Sequence, residues 1–311
     1  MIELSRVETP ADVDVFLALR TAIDPEHLMH RTSYVEEIQR PERLDLIAKL
    51  DGEPAGAAFV EPHGDNVAGP AAWVSVRVLR ERRRRGVGTE LFRAVSARAR
   101  ADGRDTLVFA SRHDDADSLD YLGKRGFVEA LRMRESVLGL AESSSRFRPP
   151  DGIELVPLDE EHEQGMYSAA KEFVRDIPTS EGSIEVGDFE RWRKDQLRTG
   201  TAFDCSFVAL EDGIVVGYTV VLVDNDDGVG LNGITGVVPA VRRRGVALAL
   251  KQASIAAARA KGLRELRTAN AMENPMRLVN ERLGYRRDVD WIHLRGPLLD
   301  RDDAARVPRS S

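Results

Sequence analysis

Two stretches of the chain, VRVLRERRRRGVGTELFRAV at residues 76–95 and TGVVPAVRRRGVALALKQA at residues 235–253, read the same way. Each runs from an apolar strand through an arginine-rich turn into a helix with apolar residues at three- and four-residue spacing. Small residues mark the turn: Gly86 and Gly88 in the first stretch, Gly245 and Ala247 in the second. Such residues let a backbone approach a ligand closely, and the unpaired N–H groups at a helix start collect phosphate oxygens. Arginines beside them add charge-assisted donors. One arginine run on its own is most simply a solvated face, but recurrence at matching positions points to an anion cradle.

Working outward, the rest of the chain repeats in the same order. Ile2-Glu3-Leu4 returns as Ile153-Glu154-Leu155, and Asp51-Gly52 with Gly56 returns as Asp212-Gly213 with Gly217. KRGF, ending at Phe127, returns as RLGY, ending at Tyr285. Arg83 and Arg242 stand 159 positions apart, and the other matches fall at offsets of 151 to 161. A chain of 311 residues is therefore one domain present twice. The copies are read as residues 1–140 and 152–311, joined by a linker at 141–151 that is rich in Ser, Pro and charge. Each copy begins with a strand and helical stretches, continues with a hairpin and a third strand, and closes with helix, strand and short helix. The expected fold class is α/β, with a mixed sheet.

Composition narrows the function. Hydrophobic residues make up 42% and charged residues 31%, which excludes disordered and collagen-like chains. The net charge of −7 and the absence of aromatics among the arginines argue against nucleic acid as a partner. The longest apolar run, Ile214 to Val223, is about half a membrane span, and no basic-then-apolar leader opens the chain, so no membrane partner and a cytoplasmic location are expected. A single cysteine, Cys205, and scattered histidines, of which only His27 and His30 are close in sequence, leave no metal set. A Walker loop and a dinucleotide fingerprint both fail on glycine spacing.

The turn, the strand before it and the closing helices DSLDYLGKRGF and NPMRLVNERLGY resemble the GNAT superfamily of N-acetyltransferases in both copies. The resemblance implies two tandem domains, each a mixed, mainly antiparallel sheet flanked by helices, with acetyl-CoA as co-substrate. It places the pyrophosphate on Arg242, Arg243, Arg244, Gly245, Val246, Ala247 and Leu248, and in the first copy on Arg83, Arg84, Arg85, Gly86, Val87, Gly88 and Thr89. It sets the pantetheine arm beside Thr235, Gly236 and Val237, or Val76, Arg77 and Val78, with Asn274 near by. The chemistry it implies is direct attack of a small-molecule amine on the thioester. Among tandem members, mycothiol synthase and its relatives are similar, which makes a cysteinyl amine the alternative acceptor.

The family's usual acid, a tyrosine five positions before the final aromatic, is replaced by Leu122 in one copy and Asn280 in the other. Leucine cannot donate a hydrogen bond, whereas asparagine can donate one without transferring a proton. Four of the six asparagines, Asn232, Asn270, Asn274 and Asn280, fall around the expected thioester of the second copy, where the first has Trp73 opposite Asn232. The second copy is therefore expected to be catalytic through Asn280 and Asn232, with Glu273 or a water held by Asp224, Asp226 or Asp227 as base. The first copy is expected to be structural or cofactor-binding. Asp176 and Trp192 are candidates for the acceptor pocket, and the protein is expected to be a monomer or homodimer. A CoA-responsive binding protein without turnover is the reading from a different class.

Overall fold

The computed structural model describes residues 1–24, 31–63, 69–141, 148–180, 186–223 and 228–299. The first repeat forms β1 (Ile2–Arg6), α1 (Pro10–Ile23), α2 (Arg31–Glu37), β2 (Leu44–Leu50), β3 (Glu53–Pro62), β4 (Ala71–Val78), α3 (Val87–Ala101), β5 (Thr106–Arg112), α4 (Ala116–Gly123) and β6 (Val128–Gly139). The second forms β7 (Glu154–Pro157), α5 (Glu163–Phe173), α6 (Phe189–Gln196), β8 (Phe207–Glu211), β9 (Ile214–Leu222), β10 (Val229–Val237), α7 (Val246–Ala260), β11 (Glu265–Ala271), α8 (Met276–Arg282) and β12 (Arg286–Pro297). The same ten elements recur in the same order, as duplication requires.

Local chemistry accounts for the elements. Thr9 and Asp12 form a capping box at the start of α1, and Asp188 caps α6 through the Arg191 N–H. The buried stripe Val87, Leu91, Val95 and Ala99 fixes the inward face of α3.

The chain divides into two compact units. One holds Met1–Ala130 together with the chain from His293 onward, and the other holds Leu131–Ile292. The repeats meet at residues 141–151, of which 142–147 lie outside the described residues, but the units divide inside β6 and β12. In the first unit the sheet order is β1-β2-β3-β4-β5, with the end of β12 beside β5. In the second it is β7-β8-β9-β10-β11-β6, with Met133–Gly139 of β6 antiparallel to Ala271–Glu265 of β11. Each repeat thus gives its closing strand to the other repeat's sheet. That exchange covers β5 and β11, which would otherwise present an open row of backbone donors and acceptors. Both sheets are mixed: β4 and β5 pair in parallel, as do β10 and β11, and the remaining registered pairs are antiparallel.

The first unit carries an acid-sensitive feature. His63 and His293 each pack edge-on against Trp73, with ring centroids 5.2 and 4.9 Å away, and burial pulls both imidazoles down to about 4. The fold therefore holds them neutral, while the unfolded chain protonates them near pH 6.5. Stability is fully present above pH 6.5 and falls as pH drops towards 4, by an amount on the order of 3 kcal/mol per ring. A His293→Phe variant should lose part of this acid sensitivity in urea titrations at pH 7 and 5; an unchanged difference between the two pH values would refute the assignment. Among the described residues, no helix is long and apolar enough to cross a membrane.

Candidate functional site

The arginine turns have the same geometry in both repeats. Arg84 and Arg243 adopt left-handed backbone at φ 60° and 62°, and Gly86 and Gly245 do so at 87° and 86°. Arg83 donates through Nε to the Val78 carbonyl at 3.2 Å, and Arg242 donates likewise to the Val237 carbonyl at 3.1 Å. These bonds tie each turn to the end of its strand. No side chain caps α3 or α7, so the first N–H groups of each helix are presented bare. The predicted cradle residues Arg83 to Thr89 and Arg242 to Leu248 thus form two turns of matching geometry, each at the start of a helix without a side-chain cap.

The strands before the turns differ. In the first repeat β4 runs against β3 with no shift of register from Ala72 to Val78. In the second, Asn232 pairs with Val221 and Thr235 with Thr219, so Gly233 and Ile234 together face the single residue Val220. This β-bulge leaves the extra residue's backbone groups out of the ladder. It also corrects the expected correspondence: Asn232 stands where the first repeat has Val74, since Val74 faces Val60 as Asn232 faces Val221. Trp73 is one step off, because sequence offset alone does not see the inserted residue.

Beyond Leu231 and Arg267, the last registered pair, β10 and β11 part. The gap is a cleft of about 200 Å³, lined by Gly233, Ile234 and Thr235 of β10, Thr268 to Ala271 of β11, Lys251 of α7, Met133 of β6, and Ile177, Pro178, Asn274 and Met276. In the first unit β4 and β5 part beyond Val74 and Phe109, but Arg77 crosses between them and donates to the Ala110 carbonyl at 3.2 Å. Its counterpart in the second repeat is Gly236, where a Cβ would meet the Phe173 ring at 2.1 Å. The side chain that bridges one gap therefore has no room in the other.

A polar network underlies the open cleft. Asn232, only 1% exposed, donates to Thr219 Oγ1 at 3.0 Å, and the Thr219 and Thr235 hydroxyls are hydrogen-bonded at 2.7 Å. Lys251, also 1% exposed, donates to Asn232 Oδ1 and lies 5.2 Å from the centroid of the Tyr285 ring. Burial pulls the Lys251 amine down to about 7. Asn280 is buried and donates to Asn270 Oδ1 at 2.6 Å, while its own Oδ1 is without a partner. The first repeat fills the matching places with Phe92, Phe109 and Phe127, whose rings pack edge-on or tilted at centroid distances of 5.3 to 6.0 Å. Lys251, Thr268 and Tyr285 replace those three rings in turn.

The other expected residues fall as follows. Thr235 lines the cleft, and Gly236 and Val237 continue its strand towards the turn. Val76 and Val78 occupy the matching places on β4. Asn274 lines the cleft and accepts from the Met276 N–H at 2.9 Å, opening α8. Asn232 and Asn280 stand just behind the lining, each one hydrogen bond from a lining residue, Lys251 and Asn270. Glu273 is exposed in the turn after β11 and does not line the cleft. Asp176 pairs with Arg242 at 2.6 Å and does not line the cleft. Trp192 is buried in the core against Tyr167, Phe189 and Tyr218 and does not line the cleft. Asp224, Asp226, Asp227, His27 and His30 lie outside the described residues.

Lys251 escaped the sequence reading, which treated the helix after the turn only by its apolar spacing. The signal was present in the repeat: at the common offset of 159 a lysine stands opposite Phe92.

The chain matches the acetyltransferase (GNAT) family twice, over residues 14–127 and 167–285. No curated protein matches it. Among solved structures it is similar to a GCN5-related N-acetyltransferase from Sphaerobacter thermophilus, with 19% identity, 96% of each chain covered and a TM-score of 0.76. It is also similar to a tandem GNAT protein from the clavulanic acid biosynthesis pathway, with 21% identity, 97% of this chain and 100% of the other covered, and a TM-score of 0.77. A fungal glucosamine N-acetyltransferase region of a multi-domain β-N-acetylglucosaminidase shares 16% identity over 95% of this chain and 38% of the other, with a TM-score of 0.73. At these identities the likeness is one of fold. With two family matches spanning most of the chain, two cradles of one geometry and a mixed sheet that parts beside each, the protein belongs to the GNAT acetyltransferase family, with two GNAT domains in tandem.

Proposed function

We propose that this protein is an acetyl-CoA-dependent N-acetyltransferase that acetylates the primary amine of a small molecule, and that the second repeat alone does the chemistry. The observation that carries the reading is the contrast between the gaps: open beside β10, bridged by Arg77 beside β4. The bare N–H groups at the start of α7 and the left-handed Gly245 fit a pyrophosphate, with Arg242 to Arg244 alongside and Thr235 to Val237 leading into the cleft. Acetyl-CoA supplies an acyl carbon activated as a thioester. The protein's part is to hold an amine against that carbon, so that a C–N bond forms as the C–S bond breaks. The amine gives up a proton and the departing thiolate gains one. A backbone N–H at the Gly233–Ile234 bulge, where the register of the ladder shifts, suits the negative charge that gathers on the carbonyl oxygen. Asn270, held by Asn280, offers an amide towards the sulfur, and since an amide cannot protonate it, the thiolate takes its proton from solvent.

Isothermal titration with acetyl-CoA should give one site per chain, followed by amine-dependent release of free thiol. Two sites, or none, would overturn the one-cleft reading. Binding without thiol release across a panel of aminosugars, amino-acid derivatives and a cysteinyl amine would favour a CoA-responsive binding protein instead.

A further inference from the structure

The lining of the open cleft is apolar or neutral except at one place. Among the described residues that line it, Lys251 is the single titratable side chain, and no Asp or Glu does. The amine's neighbours Asn232 on β10 and the Tyr285 ring after α8 are uncharged at neutral pH, as are the polar residues that share the cleft lining, Thr235 from β10 and Thr268 and Asn270 from β11. Burial is the one influence on the amine among the described residues, with no charged neighbour acting on it. An ammonium has three donors. One goes to Asn232 Oδ1, which is itself braced by Thr219, so the amine is positioned rather than loose. The Tyr285 ring lies on another side, at 5.2 Å.

A buried cation without a counter-ion is costly, and this fold has an apolar solution for the same position, since Phe92 fills it in the first repeat. An anion that enters the cleft would meet a preset, desolvated donor, the setting in which charge-assisted hydrogen bonds are strongest. Dimensions favour a compact group: about 200 Å³ is room for a few heavy atoms beside the strand.

We infer that Lys251 is a carboxylate-recognition residue, so that one of the two molecules meeting in this cleft carries a carboxylate. Two sources share that chemistry: an acyl group that ends in a carboxylate, as in malonyl- or succinyl-CoA, or an amine acceptor that is itself an amino acid. The inference rests on the acyl-CoA reading above. Since burial leaves the free amine near pH 7, pairing with a carboxylate returns it to the ammonium form, and binding above pH 7 takes up a proton.

The test is calorimetric and does not depend on turnover. The intact protein is titrated with acetyl-, malonyl- and succinyl-CoA, and then, with acetyl-CoA present, with glycine and glycinamide. If the acyl group is the source, a carboxylated acyl-CoA binds roughly tenfold tighter than acetyl-CoA. If the acceptor is the source, glycine binds better than glycinamide by a similar factor. In either case the preference is lost in Lys251→Met and kept in Lys251→Arg, and heat measured in buffers of different ionisation enthalpy reports proton uptake at pH 8. Equal binding in both series, or a preference that survives in a folded Lys251→Met protein, overturns the inference and leaves the family reading standing. Failure of every CoA species to bind overturns the acyl-CoA reading, and this inference with it.

Discussion

Replacing Lys251 by methionine makes the protein more stable at pH 7, and the gain shrinks as the pH approaches 10. The folded amine is pulled down to about 7 by burial, whereas the unfolded chain holds its proton to about 10.4. Between these values the unfolded state binds one proton more, so stability rises with pH. At and below pH 7 the burial penalty is complete, on the order of 5 kcal/mol; by pH 10 most of it has gone. Methionine carries no such penalty and matches the length of the stem, but it leaves the Asn232 acceptor without its donor, at roughly 1–3 kcal/mol. The net gain at pH 7 is about 3 kcal/mol and turns to a small loss near pH 10. Urea unfolding of both proteins at the two pH values measures it, and a difference independent of pH would show that the buried charge is not the cause. A stabilised but less selective variant is the expected signature of a residue kept for binding.

The second large effect separates the two cradles. Valine at Gly245 or at Gly86 must adopt φ near +86°, which a β-branched residue resists at about 1–2 kcal/mol. The strain is common to both sites, and the surroundings are open at both, with a Cβ meeting nothing closer than 3.4 Å. Gly245→Val therefore folds, yet it puts two methyl groups into the bare N-terminus of the helix that serves the open cleft. Acetyl-CoA affinity should fall by at least about a hundredfold, equivalent to losing some 3 kcal/mol of backbone and charge-assisted contacts. Gly86→Val should cost similar stability and leave acetyl-CoA affinity unchanged, because Arg77 already bridges the gap that its cradle would serve. Equal loss of affinity in both variants would make the first cradle a working site.

The two cradles were legible in the sequence because their chemistry is local. Turn, glycine and helix start lie within about a dozen residues of each other, and spacing alone brings them together. The same holds for the duplication, which is read from order along the chain. The neighbours of Trp192 and Asp176 were not legible in the sequence for a related reason. Residue type names a capability, an aromatic surface or a carboxylate, while the partner that uses it is a matter of packing: Tyr218 in one case, Arg242 in the other.

By itself, then, the sequence determined that one mixed α/β domain occurs twice, with the same glycine-marked arginine turn in each copy, since both follow from order and spacing along the chain. Only the tertiary structure showed a cleft beside β10 and Arg77 crossing the gap beside β4. A bulge is defined by what lies across the ladder, at Val220, and a bridged gap by where a guanidinium from one strand meets a carbonyl of the next, at Ala110. The exchange of β6 and β12 is of the same kind, because strand pairing joins residues more than a hundred positions apart. So is the role of Lys251: along the helix it is one lysine among alanines, and it becomes a buried donor at the cleft only when β10, β11 and Tyr285 close around it.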